Sequence, residues 1–404
     1  MSSSLAAMSE SLLNAEMAFA GKRYAARRTA ELRSEDPSRS AEQIVDLLRD
    51  EADAAEAEFR RLRDPRLRLV LRRTLPENGA VERQIDFSRE RQMLCGRCDH
   101  RWPVDLDWIN RWEQAKETCP GCGMTCEHED SPRVTLDSGD PALDDDRVTQ
   151  FSWYHTSTQP DWPTRHFDPA AVLTPETRRR MGGEQGVSAW AARQRAKALH
   201  VGTYEAAVHN MLRRIRDQAD QRSQFYLYRV RLKPSVVVRE GWLVDPGTSV
   251  GDVVLDEVCP PGVDVARYLN YHEDPGGLSL ALGRNAIASV QRIAVPLPDT
   301  RDGGWVRDAV AALEGVSGTV VPATGKLARF MRPSSSRAVL GRELGAFLAG
   351  RLPVNLQSQF ASAAAFAEGE DPEQWARRAS GLFGLIDDPT RVLAALDRQD
   401  PREV

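Results

Sequence analysis

Two closely spaced cysteine pairs constrain this chain more than any other feature of its sequence. Cys95-Gly-Arg-Cys98 and Cys119-Pro-Gly-Cys122 are separated by the 20 residues 99–118. In each pair a tight turn directs two thiolates at one ion, and the spacer lets the pairs meet as the tetrahedral set of four sulfurs that Zn²⁺ prefers. We therefore predict a structural zinc site with Cys95, Cys98, Cys119 and Cys122 as ligands.

Three nearby side chains compete for these ligand positions. Cys126 lies close enough in sequence to replace one of the four cysteines, and His100 and His128 are weaker substitutes. Four free cysteines in a reducing cytoplasm are the alternative to a metal site, but the spacing favours the metal. Because a closed site with four protein ligands does no chemistry by itself, any activity must come from another part of the chain.

Length and composition bound the remaining classes of protein. A chain of 404 residues has room for roughly two to four domains of ordinary size. Its formal net charge of -5 argues against bulk nucleic-acid binding, although basic clusters occur at Arg178-Arg-Arg180 and Arg213-Arg214. No apolar run approaches the ~18 residues of a membrane span, and the N-terminus lacks the basic and apolar regions of a signal peptide. We expect a cytoplasmic protein with no membrane partner.

Periodicity and composition divide the chain into five segments. Residues 1–64 have helical periodicity and form a predicted N-terminal helical region, and residues 65–130 combine a predicted strand pair with the cysteines as a zinc-ribbon-like module. The acidic, turn-rich residues 131–150 are typical of a linker. An α+β domain is predicted over residues 151–300, and residues 301–404 return to a helical pattern.

Aromatic residues are concentrated between and beside the cysteine pairs. A short helix over 107–116 would direct Trp108, Ile109 and Trp112 inward, and Trp102 follows the first pair closely. These tryptophans either stack on the bases of a nucleic acid or pack against the metal site, and packing is the favoured interpretation.

Alternation and turn residues predict several strands in the α+β domain. Phe151 to Ser157 is a short aromatic strand that ends in polar residues, and a later strand breaks at Gly202, where Thr203 can cap a new helix. Further strands are predicted at Phe225–Leu232, 235–239, 253–257, 278–282 and 289–295.

Three separated positions in this domain resemble the ADP-ribosyltransferase superfamily, in the branch whose motif is His, then Tyr, then Glu. His155 is followed by a hydroxyl residue at the end of an early strand, Tyr204 follows His200-Val-Gly-Thr, and Glu273 follows Tyr268-Leu-Asn270 before a late strand. The order, separations and strand contexts carry the resemblance, which covers roughly a third of the chain. It implies a split β-sheet core flanked by helices, with NAD as co-substrate.

The resemblance also implies a role for each residue. Glu273 would bond the 2′-hydroxyl of the ribose and stabilise the positive charge that develops as nicotinamide leaves. His155 would hold the other ribose hydroxyl, the backbone of Thr156 would bind the carboxamide, and Tyr204 would stack on the nicotinamide ring.

Two of these assignments have competitors within the sequence. His200 competes with Tyr204 for contact with the nicotinamide, and Glu240 and Glu257 also border predicted strands and compete with Glu273. The leading hypothesis is an NAD-dependent ADP-ribosyltransferase that modifies a macromolecule, either nucleic acid or protein, with the zinc module helping to bind the target.

Two alternatives belong to other classes. One is a zinc-ribbon adaptor that binds nucleic acid and catalyses nothing, and the other is a nuclease that uses His155, His200 and His272. If the α+β domain folds independently of the zinc module, removal of the metal should weaken target binding but leave NAD cleavage intact.

Overall fold

A computed structural model describes Gln43 and residues 81–164, 167–217, 223–246, 253–297, 304–316, 320–321, 334–367 and 369–404. The chain divides into two units, Met1–Gly79 and Ala80–Val404, and every described residue except Gln43 belongs to the second. The predicted helical region 1–64, apart from that residue, and residues 65–80 of the predicted zinc module lie outside the described residues. The second strand of the predicted pair, at Val81 and Ile85, is wrong, because only Val81 pairs, in an isolated bridge with Phe151.

The second unit is mixed α+β, with several small sheets. In chain order its described strands are β1 (Arg91–Leu94), β2 (Arg101–Val104), β3 (Arg133–Thr135), β4 (Trp153–Ser157), β5 (Leu199–Val201), β6 (Phe225–Leu232), β7 (Leu243–Val244), β8 (Val265–Asn270), β9 (Gly277–Leu282), β10 (Ile287–Val295), β11 (Val320–Val321), β12 (Ser334–Ser335) and β13 (Arg402–Glu403). Its described helices are α1 (Leu106–Glu113), α2 (Pro175–Arg180), α3 (Gly183–Arg195), α4 (Tyr204–Asp217), α5 (Leu255–Val258), α6 (Gly304–Gly315), α7 (Ser336–Ala349), α8 (Val354–Ala363), α9 (Pro372–Asp387) and α10 (Pro389–Asp397).

A three-stranded antiparallel sheet, in the order β2-β1-β3, carries the cysteine pairs and is called the ribbon below. Helix α1 begins directly after β2. Asp105 is its N-cap and accepts a hydrogen bond from the backbone N–H of Trp108. Strand β3 comes from the segment 131–150 that the sequence predicts to be a linker, and Val134 in it is buried. That segment therefore contributes one edge of the ribbon.

The tryptophans of the ribbon pack on one another. Trp112 is buried and stacks on Trp108 with ring centres 5.5 Å apart, and Trp102 meets Trp108 edge to face at 5.6 Å. His100 in turn stacks on Trp102 at 5.2 Å. Of the two interpretations left open by the sequence, this geometry fits packing beside the metal site.

Two four-stranded sheets meet along a seam in the α+β part of the unit. One has the order β13-β10-β6-β4 and is antiparallel, and the other has the order β5-β9-β8-β7, with only its β7–β8 pair parallel. At the seam the backbone of Tyr154 in β4 exchanges two hydrogen bonds with Gly202, of 2.8 and 2.9 Å. A Cβ atom at Gly202 would lie 2.9 Å from Ser279 Oγ and 3.0 Å from Ala206 Cβ, so glycine allows this close approach.

Several local predictions are confirmed, and two strands are wrong. Strand β6 has the predicted bounds Phe225–Leu232, and helix α4 begins directly after Thr203, whose Oγ1 accepts from the N–H of Ala206. The predicted strand 253–257 is instead the one-turn helix α5, because the chain turns to bring the N–H of Cys259 within 2.7 Å of Leu255 O. The predicted strand 235–239 makes only isolated backbone contacts with β8.

The helices of the C-terminal part pack on α4 and on the first of the two sheets. Their shared core includes Met211 and Leu212 of α4 together with Phe360 of α8 and Trp375 of α9. Helix α9 begins with Asp371 as its N-cap and with Pro372 in its first turn.

Within the described residues, no helix is both long enough and apolar enough to cross a membrane.

Candidate functional site

The four predicted metal ligands form one cluster. The ligand atoms of Cys95, Cys98, Cys119 and Cys122 all lie within 4.8 Å of one another. The Sγ atoms of Cys95 and Cys122 are 3.7 Å apart, as are those of Cys98 and Cys119. Zn–S bonds of about 2.3 Å in a tetrahedron require sulfurs about 3.8 Å apart, so the set fits a zinc-sized ion.

The two cysteine pairs have the same backbone geometry. After each pair the chain takes a left-handed residue, Asp99 with φ 56° and Gly123 with φ 73°, whose N–H bonds the carbonyl of the first cysteine. The N–H groups of Cys95 and Cys119 donate to His100 O and Met124 O, at 3.0 and 2.8 Å. This repeat aims both pairs of thiols at one point.

Hydrogen bonds favour the thiolate form of Cys95, whereas burial and the neighbouring thiols raise the pKa values of Cys98 and Cys119. Burial opposes ionisation of the Cys95 thiol, but backbone hydrogen bonds from Cys98 and Arg97 outweigh it and lower its pKa to about 7. Cys126, which the sequence offers as a substitute ligand, lies outside the cluster, as do His100 and His128.

A cavity of about 250 Å³ lies at the seam between the two four-stranded sheets. Its lining includes His155 and Thr156 from β4, His200 from β5, and His272 and Glu273 from the loop between β8 and β9, so the three histidines of the nuclease alternative also lie here. Tyr268, Asn270, Asp245 and the arginines of α4 complete much of its wall. Long-range strand pairing therefore brings together residues that are 118 positions apart in the chain (273 minus 155).

His155 is held as a neutral ring with a defined tautomer. Its imidazole stacks on Trp162, with ring centres 4.0 Å apart, and burial lowers its pKa to about 3. Its Nδ1 lies 2.9 Å from the carbonyl oxygen of His200. Because a carbonyl only accepts hydrogen bonds, Nδ1 carries the proton and Nε2 is an acceptor.

The backbone of Thr156 also faces the seam. In an extended strand the N–H and C=O of alternate residues point to the same side, and those of Tyr154 bond Gly202. The N–H and C=O of Thr156 therefore point to the same side, where the chain leaves β5 to enter α4. The Thr156 hydroxyl does not compete for them, because it donates to Ala207 O at 3.0 Å.

His200 and Tyr268 form a second polar pair in the cavity wall. His200 Nδ1 lies 3.0 Å from the Tyr268 hydroxyl, and their rings meet edge to face. Burial lowers the pKa of His200, against the opposing effect of nearby Glu273 and Asp245. Its Nε2 is buried and has no hydrogen-bond partner among the described residues, so a ligand atom in the cavity could satisfy it.

The Glu273 carboxylate is anchored through one oxygen. Oε1 accepts hydrogen bonds from Arg213 Nη2 at 2.6 Å and from Asn210 Nδ2 at 3.2 Å, both on α4. Within the described part of the chain Oε2 accepts none, so it is available to a ligand. The competing Glu240 and Glu257 are exposed and do not line the cavity.

Tyr204 does not line the cavity. It is 2% exposed, its hydroxyl donates to Leu385 O at 2.8 Å, and its ring packs edge to face on Tyr154 and Phe87. The first residue of α4 faces the helical core, so Tyr204 could reach a ligand only by leaving that core. Among the described residues, two tyrosines line the cavity: Tyr154, whose hydroxyl donates to Glu82, and Tyr268, which is paired with His200.

The sequence contains one signal for the residues that were missed. Tyr268 and Asn270 are two positions apart on β8 and therefore face the same side of the sheet. A tyrosine and an asparagine on one face of a strand that ends three residues before Glu273 indicate that this face and the carboxylate belong to one site. Asp245 and Asn210 carry no comparable signal.

Comparisons with protein-family models, with curated proteins and with solved structures found no match to this chain.

Proposed function

We propose that the chain is an NAD-dependent ADP-ribosyltransferase that modifies a macromolecular acceptor. The observation that supports this most directly is the cavity at the seam, which is lined by the neutral His155, the strand end at Thr156 and the anchored carboxylate of Glu273. They follow one another in the order that the sequence resemblance requires. Two small sheets that meet at a seam are also compatible with the split sheet that the resemblance implies.

The proposed reaction breaks the bond between the ribose carbon and the nicotinamide nitrogen. Both electrons of the bond leave with nicotinamide, and positive charge develops on the ribose. A nucleophile of the acceptor then bonds to the ribose carbon and loses its proton. Oε2 of Glu273 would accept a hydrogen bond from a ribose hydroxyl and stabilise that charge, while Arg213 and Asn210 keep Oε1 in place.

His155 would bind the substrate without changing its protonation state. Since its pKa is about 3, the ring stays neutral near pH 7, and its Nε2 can accept a hydrogen bond from the second ribose hydroxyl. The backbone groups of Thr156 would bind the carboxamide. Tyr268, rather than Tyr204, would contact the nicotinamide ring, and the open Nε2 of His200 would face it.

The size of the cavity suits one part of the dinucleotide. Sites for drug-sized ligands are typically about 300–1,000 Å³, and this cavity is slightly smaller. It would therefore enclose the nicotinamide and its ribose, and the rest of NAD would extend towards Arg213 and Arg214. Their positive charge would favour the pyrophosphate.

We further propose that the metal of the ribbon is Zn²⁺, in a structural role. Four thiols that surround one point suit zinc, and such a closed set leaves no ligand position for a reacting group. The acceptor is either nucleic acid or protein. Because the ribbon tryptophans stack on one another, their rings contribute little to binding it.

Substitution of the carboxylate tests the proposed function. We expect the wild-type protein to release nicotinamide from NAD, and Glu273→Gln to lower the rate by about 10²–10³-fold because a preorganised electrostatic contact is lost. The Arg213 ion pair is partly exposed, so the unfolding free energy should change by no more than about 1 kcal/mol. Mass spectrometry of DNA, RNA and proteins incubated with the enzyme and NAD would identify the acceptor by an added ADP-ribose.

Glu257→Gln is the matched control, because this exposed glutamate also borders a predicted strand and lies outside the cavity. It should cleave NAD at the wild-type rate. If both variants match the wild type, Glu273 is not the catalytic carboxylate. If the wild type releases no nicotinamide but binds nucleic acid with an affinity that falls steeply with salt, the protein is an adaptor instead.

A further inference from the structure

The loop that carries Glu273 is built against the ribbon. Asp274, the next residue, is fully buried, and its carboxylate accepts hydrogen bonds from Arg91 Nη2 at 2.7 Å, Arg89 Nη2 at 2.6 Å and Thr203 Oγ1 at 3.2 Å. Arg91 belongs to β1, four residues before the metal ligand Cys95, and its side chain is fully buried. One short run of backbone thus joins the cluster of thiols to the loop.

The tip of the loop rests on the same sheet. Gly276 has φ 81°, and a Cβ atom there would lie 3.1 Å from Val134 Cγ1 and 3.3 Å from Arg91 Cδ. Val134 belongs to β3 and Arg91 to β1, which pair with each other in the ribbon. The loop therefore lies against β3 through Val134 and against β1 through the buried Arg91.

Within the loop, the backbones of Glu273 and Asp274 are bonded to the same side chain. Asn270 Oδ1 accepts hydrogen bonds from the N–H groups of His272, Glu273 and Asp274 at 3.1, 2.9 and 3.1 Å. Asn270 is itself held by Ser279, to which its Nδ2 donates at 3.0 Å. A shift of Asp274 would therefore shift the backbone of Glu273.

The link is electrostatically strong. Burial alone would raise the pKa of Asp274, but Arg89 and Arg91 outweigh burial and lower it to about 2. The side chain is thus a carboxylate that needs its arginines, because an unpaired buried charge is very unfavourable. The Asp274 side chain must therefore stay in contact with Arg89 and Arg91.

We propose that the ribbon positions the catalytic loop. Bound metal holds β1 and β3 in place, and Arg91 on β1 then holds Glu273 in place through Asp274. This inference rests on the role proposed above for Glu273. It replaces target binding as the main task of the ribbon and predicts that metal and NAD cleavage are coupled. Arg91 and Asp274 are positioning residues, because they act through Glu273 and touch no substrate.

Hydrogen exchange in the full-length protein tests the coupling without any need for turnover. We would follow peptides covering 266–282, which include the three amides bonded to Asn270, in wild type, Arg91→Met, Arg91→Lys and Arg101→Met. Arg101 is the control, since it is an exposed arginine of the same sheet whose contact is with Leu136 O. Metal content is measured for each protein, and the wild type is also studied after chelation, which changes no side chain.

We expect Arg91→Met to keep its metal, while hydrogen exchange at its loop amides becomes at least about tenfold faster. In Arg101→Met the exchange rate of the same amides should equal that of the wild type. NAD cleavage should show kcat lowered by about 10²-fold with KM nearly unchanged, as a misplaced catalytic group requires, and Arg91→Lys should recover part of it. Chelation should accelerate exchange in the ribbon and in the loop together.

The proposal is overturned if the loop stays protected in Arg91→Met, or if chelation loosens the ribbon alone. Should Arg91→Met fail to fold, the chelated wild type and Arg91→Lys decide the question by the same criterion. If loop protection follows the metal but no protein cleaves NAD, the mechanical coupling stands and the proposed function fails.

Discussion

The ribbon and the seam cavity are assembled in opposite ways. The thiol cluster comes from two short segments, 95–98 and 119–122, that repeat one local backbone geometry. The cavity draws its wall from strands and helices spread over residues 154–279, and none of its segments forms a site alone. A site of the first kind depends on its ion, whereas one of the second kind depends on the pairing of sheets and the packing of the core.

This difference has an energetic side. The cysteine pairs have only a small apolar cluster of their own, and metal binding supplies much of the folding free energy of such modules. The ribbon strands instead contribute Met93, Val104 and Val134 to the same buried cluster as the sheets of the seam. The seam is supported by large clusters of buried side chains on both sides. The ribbon strands and the seam therefore share a core as well as the Asp274 link, and a change at the thiols or at the link can be tested for its effect on the other region.

Loss of one metal ligand should have the largest effect. Cys95 is fully buried, and Cys95→Ser replaces a thiolate by a poor zinc ligand, so we expect loss of bound metal and unfolding of the ribbon. Structural zinc contributes on the order of 10 kcal/mol in small modules. Metal analysis and thermal unfolding measure the effect. Cys126→Ser, outside the cluster, should keep its metal and its melting temperature, and equal losses in both variants would contradict the assigned ligand set.

Removal of the Asp274 charge should have the second-largest effect on the unfolding free energy. Asp274→Asn leaves Arg89 and Arg91 without their carboxylate, and breaking a buried ion pair costs about 3–5 kcal/mol at pH 7. Denaturant unfolding provides the measurement. Asp161→Asn, an exposed position, should change the unfolding free energy by less than about 0.5 kcal/mol.

The pH dependence of the same variant has a definite sign. The folded-state pKa of Asp274 is about 2, below the ordinary value of about 3.9 for an unfolded chain. Its contribution is therefore fully present above about pH 4 and is lost as the pH falls through 2. The stability gap between wild type and Asp274→Asn should shrink over that window, and a gap that stays constant would mean that the carboxylate is not ionised in the folded protein.

A smaller loss of unfolding free energy is expected from a substitution where the two sheets meet. Gly202→Ala would force a Cβ atom against Ser279 and Ala206, and overpacking of this kind costs about 1–3 kcal/mol. Because Gly202 and Ser279 line the cavity, the variant should also weaken NAD binding. Gly304→Ala, where the added atom meets no described neighbour within 4 Å, is the control for denaturant unfolding. Unchanged stability in Gly202→Ala would show that Ser279 and Ala206 can move away from position 202 at little cost.

The two regions were not equally predictable from sequence. The thiol cluster, helix α1 and strand β6 follow from local spacing or alternation, and those signals need no knowledge of the rest of the fold. The seam depends on which strands pair over long distances, and alternation within one strand does not contain that information. His155, His200 and Glu273 were singled out only because their order resembles a known family.

Tyr204 shows why order alone is insufficient. Thr203 caps α4 as expected, but the rotation of that helix about its axis decides which side its first residue faces, and this is set by packing against α8 and α9. The partner of Arg89 and Arg91 is a second feature that the sequence does not predict. Nothing near Arg89 and Arg91 in the sequence indicates a partner 183 residues away.

The tyrosines provide the smallest effect and the sharpest contrast between core and cavity. Tyr204→Phe removes the hydrogen bond to Leu385 O, so it should lower the unfolding free energy by about 1 kcal/mol and leave NAD cleavage unchanged. Tyr268→Phe removes the partner of His200 inside the cavity and should instead raise KM for NAD several-fold, since a buried polar atom of the site is left unpaired. Both changes delete one hydroxyl from a buried ring, so they are matched in chemistry and differ in location. If Tyr204→Phe were the variant that impaired NAD cleavage, the nicotinamide site would have to reach into the helical core, and the cavity at the seam would not be the catalytic site.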